Sequence, residues 1–95
     1  MDLQDLQDLQ DLRFEIDKID NELIQLFQKR MDISVEVAVY KKEHNQPVYD
    51  PVREQEILEK LSGKAKEENK DSIISLYKLL FEISRAGQEK IKNSL

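Results

Sequence analysis

Cysteine is absent from this chain and histidine occurs once, as His44. A disulfide framework, a thiolate metal site and a Cys–His nucleophile pair are therefore excluded. His44 sits in a polar, proline-bounded segment, where a solvated ring is expected. Glycine and proline each occur only twice, and Leu, Ile, Glu, Lys and Gln fill most other positions. Strong helix formers with so little punctuation predict an all-α fold. No apolar run approaches the ~20 residues needed to span a bilayer, and the N-terminus is acidic. Neither a signal peptide nor a membrane partner is expected, and the cytoplasm is the natural location. The formal net charge is −5, with the cations interspersed among acids, which argues against nucleic acid as a partner.

The 95 residues make one small domain, which on its own would bury only about 65% of its unfolded surface. A partner subunit would add to that. Residues 2–12 repeat DLQ, and leucines spaced by three drift about −60° per step around a helix, so they hold no single face. Residues 1–11 are accordingly expected to be a frayed or loosely helical extension, with the folded domain at 12–95. From Leu12 the pattern is strongly helical: Leu12, Ile16, Ile19, Leu23, Phe27, Val37 and Ala38 fall on one stripe. One helix is predicted from there to about Glu43. Its thirty or so residues would measure about 50 Å, against a radius of gyration of about 13 Å for a compact domain of this size. The excess length predicts that a second copy covers the stripe in an intimate helical homodimer.

His44-Asn45-Gln46-Pro47 breaks this helix, and Asp50-Pro51 offers an N-cap and a first-turn proline for the next. The second stripe reads Glu54, Ile57, Leu58, Leu61, with Gly63 as a stop. Residues 64–70 read as charged and loop-like or loosely helical. Asp71 is a plausible cap for a third helix, whose stripe is Ile73, Leu76, Tyr77, Leu80, Ser84, Gly87, Ile91.

Several stripe positions carry the wrong residue for a plain core. Arg30 stands where the pattern asks for leucine, and a buried guanidinium needs an anion, from a ligand or from an acid across a dimer. Lys41 returns to the same face about 16 Å further on, either flanking the same ligand or snorkelling at a helix end. Arg13 lies at the stripe's edge, roughly 26 Å from Arg30 along the helix, too far for both to grip one small molecule within a chain. An antiparallel partner could supply it; otherwise it is a surface cation. Glu54 points a carboxylate coreward from a helix's first turn, to cap that turn or to accept from a ligand hydroxyl. Ser84 and Gln88 lie one turn apart on the third helix, as satisfied core groups or as ligand donors. No activated nucleophile, phosphate-cradling glycine loop or metal-ligand cluster accompanies them. Cations and neutral donors without such groups suit anion binding and electrostatic stabilisation.

The series L12-R13-x-x-I16-D17-x-I19-D20, K29-R30, V35-E36-V37, K41, P47-V48-x-D50-x-x-R53-E54 and S84-x-x-x-Q88 resembles the all-helical, AroQ-type chorismate mutases over about residues 12–91. Each motif is weak alone, but their order and spacing across three helices are specific. The resemblance implies an intertwined homodimer of three-helix chains with two equivalent pockets. It implies the Claisen rearrangement of chorismate to prephenate, a step toward phenylalanine and tyrosine, without any cofactor. By the same resemblance, Arg30 and the partner's Arg13 clamp the carboxylates of the dianion, with Arg53 helping. Lys41 and Gln88 donate to the ether oxygen, Glu54 accepts from the ring hydroxyl with the Asp50 backbone assisting, and Ser84 contacts a carboxylate. Gln88 is neutral, whereas a glutamate there would have to be protonated to donate, so activity through neutral pH is expected. Two alternatives are an isochorismate pyruvate lyase on the same scaffold and a non-catalytic helical dimerisation module. Asp50, Arg53 and Glu54 together favour the mutase over the lyase.

Overall fold

The computed structural model describes residues 3–94, with side chains from Gln4 onward. Residues 1 and 2 of the expected extension, and the last residue of the domain, lie outside that range. The described chain forms helices joined by short connections: α1 covers Leu3–Glu43, α2 Pro51–Lys64 and α3 Lys70–Lys92, with a 3₁₀ turn at Glu67–Asn69 before α3. Among the described residues no helix is long and apolar enough to cross a membrane. By internal packing the chain falls into two units, Met1–Asp32 and Ile33–Leu95.

The first unit is the N-terminal part of α1. Its helix begins at Leu3, not near Leu12, so the DLQ repeat from Leu3 onward is regular α-helix and not a loose extension. The repeat lacks a stable apolar face, but it also lacks any residue that would stop a helix. Its polar positions bond one turn ahead: the Gln4 amide donates to Asp8 at 2.9 Å and the Gln7 amide to Asp11 at 3.1 Å. Such i,i+4 pairs favour helix whatever the apolar register. Every side chain from Gln10 to Lys29 is exposed. The stripe is therefore uncovered, with Leu12, Ile16, Ile19 and Leu23 each more than half exposed.

The second unit holds the rest of α1, with α2 and α3. Its buried apolar side chains are Ala38, Val48 and Phe81. The α1 helix ends in a Schellman turn: the Gln46 N–H reaches back to the Lys41 carbonyl at 2.8 Å and the Asn45 N–H to Lys42 at 3.5 Å. Asn45 carries the positive φ of 54° that this motif requires, at a residue type that tolerates it. Pro47 follows, and Asp50 caps α2 by accepting the Arg53 N–H at 3.0 Å, with Pro51 next in line. Both boundaries agree with the sequence reading.

Three local expectations need correction. Gly63 lies inside α2, which continues to Lys64 and is closed by Ala65 donating to the Leu61 carbonyl. Gly63 is exposed with open space where a Cβ would stand, so its small cost is carried within the helix. Asp71 is in the first turn of α3, not its cap; Asn69 takes the cap position without a side-chain bond, because the preceding 3₁₀ turn already leads the chain into the helix. On α3 Leu76, expected on the stripe, is half exposed, whereas Phe81, left off it, is buried and packs edge-on against Tyr77, with ring centroids 6.1 Å apart. The remaining stripe residues Ile73, Tyr77, Leu80, Ser84 and Ile91 are half-buried, as are Glu54, Ile57, Leu58 and Leu61 of α2.

Candidate active site

The singled-out residues divide between the two units. In the first, Arg13 is exposed and Arg30 is half-buried at the end of the exposed stripe. They stand seventeen residues apart on one helix, roughly 26 Å along its axis. Neither can help the other hold a small molecule.

In the second unit, Lys41 is half-buried, and its ammonium donates to the Val48 carbonyl at 2.8 Å. The same residue's carbonyl receives the Gln46 N–H. The corner between α1 and α2 is thus wound around Lys41, which fixes the side chain's direction. An ammonium has three donors, so two are left beyond the Val48 bond. Lys92 donates to the Gln46 carbonyl at 2.8 Å, and Lys42 donates to the Ser94 carbonyl. These ties fasten the end of α3 to the same turn.

Gln88 lies on α3 facing α1. Its amide donates to the Ser34 hydroxyl at 2.8 Å, and both side chains are half-buried. The amide nitrogen has a second N–H, whose direction the Ser34 bond sets. Ser84 lies one turn earlier, also half-buried.

Glu54 projects from the first turn of α2, as its stripe position predicts. Both of its carboxylate oxygens accept from a single nitrogen, Nη1 of Arg85, at 2.8 and 2.9 Å. The guanidinium of Arg85 also lies over the Tyr49 ring, 5.0 Å from its centroid. Two further roles found in the sequence look different here. Asp50 uses its side chain to cap α2 and its carbonyl to accept the Glu54 N–H at 3.1 Å. Arg53 faces solvent beside Glu56 at 3.6 Å, an exposed pair of small energetic weight.

Tyr49, Pro51, Glu54, Leu58, Phe81 and Arg85 are among the residues that line an open groove of about 320 Å³. Of the eight residues predicted from sequence only Glu54 borders it; Lys41, Ser84 and Gln88 do not. His44 is exposed as expected, but its ring stacks on Tyr40 at 3.9 Å and bonds the Tyr40 carbonyl at 2.8 Å. Among the described residues no group of His, Asp and Glu is arranged to hold a metal ion.

Arg85 and Ser34 escaped the sequence reading. Arg85 had a faint signal, being four residues after Phe81 and three before Gln88, hence on the same face of α3 as both. Ser34 had none, since a serine among valines on a long helix is unremarkable until its partner on α3 is known.

Comparison with known proteins places these residues in context. The model of the family "Chorismate mutase type II" matches residues 12–89. The chain is 32% identical over 80 residues to a chorismate mutase of Methanocaldococcus jannaschii, covering 82% of this chain and 81% of that protein. It is 39% identical over 83 residues to a bifunctional chorismate mutase/prephenate dehydratase of Buchnera aphidicola from Schizaphis graminum, covering 85% of this chain but 22% of that protein. A T-protein of Haemophilus influenzae is 47% identical over 47 residues, covering 50% of this chain and 12% of that protein. The chain thus spans about a fifth or less of the length of these two longer relatives. No solved structure gives a significant match. With the family match running across all three helices and a near full-length relative beside it, the chain belongs to the chorismate mutase type II family.

Proposed function

We propose that this chain catalyses the Claisen rearrangement of chorismate to prephenate, in keeping with its similarity to proteins named chorismate mutase. The observation that carries the reading is that the family match over residues 12–89 contains all eight residues singled out from sequence alone. The rearrangement is unimolecular and pericyclic, so the chain's residues need to bind, orient and stabilise charge, and no proton transfer or nucleophile is called for. Holding the substrate as its reactive chair is a positioning task, and donors aimed at the breaking ether oxygen supply electrostatic stabilisation as charge grows there.

In this reading Lys41 and Gln88 donate to the ether oxygen. Lys41 keeps donors beyond its bond to Val48, and Gln88 has a second N–H beyond its bond to Ser34. Glu54 accepts from the ring hydroxyl, with the Asp50 backbone assisting. Its two oxygens have lone pairs beyond those given to Arg85. Arg30 clamps one carboxylate, Ser84 contacts a carboxylate, and Arg53 assists after turning from Glu56. Arg13 comes from a second copy of the chain, which also covers the exposed stripe of α1 in an intertwined homodimer. Support for that partner is the run of exposed side chains from Gln10 to Lys29, which includes five large apolar residues of one stripe.

The test is to follow loss of chorismate by absorbance, identify the product, and repeat with Arg30→Ala and Lys41→Ala. Prephenate from the wild-type chain and a large loss in both variants is expected. Equal turnover by all three, or consumption of isochorismate in preference to chorismate, would overturn the assignment.

A further inference from the structure

Resting on the mutase reading of this site, we propose that Arg85 is a positioning residue that holds the Glu54 carboxylate ready for the substrate's ring hydroxyl. Glu54 stands on the first turn of α2, where nothing in its own helix fixes the direction of its side chain. Arg85 reaches it from α3, thirty-one residues away in sequence. Nη1 lies nearly equidistant from the two carboxylate oxygens, at 2.8 and 2.9 Å, which fixes where the carboxylate sits against α3. The guanidinium is itself held, because its planar face covers Tyr49. Tyr49 immediately precedes the Asp50 cap, so one side chain ties the entry to α2, its first turn and α3 together.

The pair is only partly screened, with the Arg85 and Glu54 side chains 33% and 22% exposed. That leaves Glu54 accessible from its remaining side, and each oxygen can accept again. Arg85, by contrast, spends its near nitrogen on Glu54 and its face on Tyr49. It acts on the reaction through Glu54 and makes no contact of its own with substrate. Since both contacts come from one nitrogen, a lysine ammonium can reproduce the ion pair; it cannot reproduce the flat stack on Tyr49.

Four variants test this in the full chain, with circular dichroism as the folding control: Arg85→Met, Arg85→Lys, Glu54→Ala and Glu54→Ala/Arg85→Met. Arg85→Met, which keeps the apolar stem and removes the donors, is expected to lower kcat about tenfold while moving KM less than about threefold. Arg85→Lys should recover most of that loss. The double variant should be within about twofold of Glu54→Ala alone, since without the carboxylate Arg85 has nothing to orient. Multiplying losses in the double variant would mean that Arg85 acts independently of Glu54, and unchanged kcat in Arg85→Met would mean that it does not act at all; either overturns the inference. Absence of chorismate turnover in the wild-type chain is a separate result, which refutes the mutase reading and this inference with it.

Discussion

Mixing two inactive variants, Arg13→Ala and Arg30→Ala, should restore activity. Each arginine in a paired, charge-assisted contact with a carboxylate contributes about 3 kcal/mol, because two hydrogen bonds to a charged group are worth about 1.5 kcal/mol or more each. Each variant alone should therefore lose on the order of 100-fold in kcat/KM. The two residues stand seventeen positions apart on one helix, so the ~26 Å between them forces any shared small ligand to draw them from different chains. In a mixed dimer, one pocket then receives intact Arg30 from one chain and intact Arg13 from the other, while the second pocket lacks both. Co-refolding equal amounts gives about half mixed dimers, each with one competent pocket of two, so about 25% of wild-type activity should return. The assay is chorismate consumption before and after co-refolding, with the unmixed variants refolded in parallel. If one chain supplied both arginines, no mixed pocket would be intact and the mixture would stay inactive. That outcome would refute the shared pocket.

Three further outcomes follow from particular residues. Ile19 is 54% exposed at the middle of the uncovered stripe; Ile19→Glu should remove about 1 kcal/mol of apolar burial in a dimer and place a charge in its seam. Sedimentation should show monomer at concentrations where the wild type is dimeric, and a wild-type monomer would contradict the premise. Ser34→Ala removes the bond that directs the Gln88 amide, worth about 1 kcal/mol; Tm should fall by about 4–8 °C and kcat about fivefold, and an unchanged kcat would mean that Gln88 needs no such support. Gly87 lies inside α3 with open space where a Cβ would stand, so Gly87→Ala should stabilise the fold by about 1 kcal/mol and raise Tm by about 4–8 °C. A fall in Tm would place a partner or ligand against that position.

Legibility in the sequence followed the range of the interactions involved. The end of α1 and the start of α2 were readable because their determinants are local: Asn45 in the left-handed conformation and Asp50 before Pro51. The half-buried stripe of α2, Glu54 included, was readable because periodicity depends on one helix at a time. The helicity of the DLQ repeat was misread, since an apolar register that drifts was weighed above propensity and the glutamine–aspartate pairs. Asp71 lost the cap to Asn69 because a 3₁₀ turn, invisible to helical periodicity, precedes the helix. Leu76 was placed on the stripe and Phe81 left off it, yet Phe81 is the buried one, because packing on a neighbouring helix and not periodicity alone decides which face of α3 goes deep. The Glu54–Arg85 and Ser34–Gln88 bonds join residues 31 and 54 positions apart. No single-helix pattern contains such pairs, so Glu54 and Gln88 were found while Arg85 and Ser34, which hold them, were not.

The corner around Lys41 has a consequence for how this chain tolerates change in length. Exposed connections between helices usually absorb insertions and deletions freely. Here the Lys41 carbonyl and ammonium grip Gln46 and Val48 of one short connection, so the connection acts as a ruler laid against the side chain. One residue added after Asn45 would carry the Val48 carbonyl out of register and release the ammonium to swing. The segment that looks most permissive from outside is the one whose length is most tightly specified.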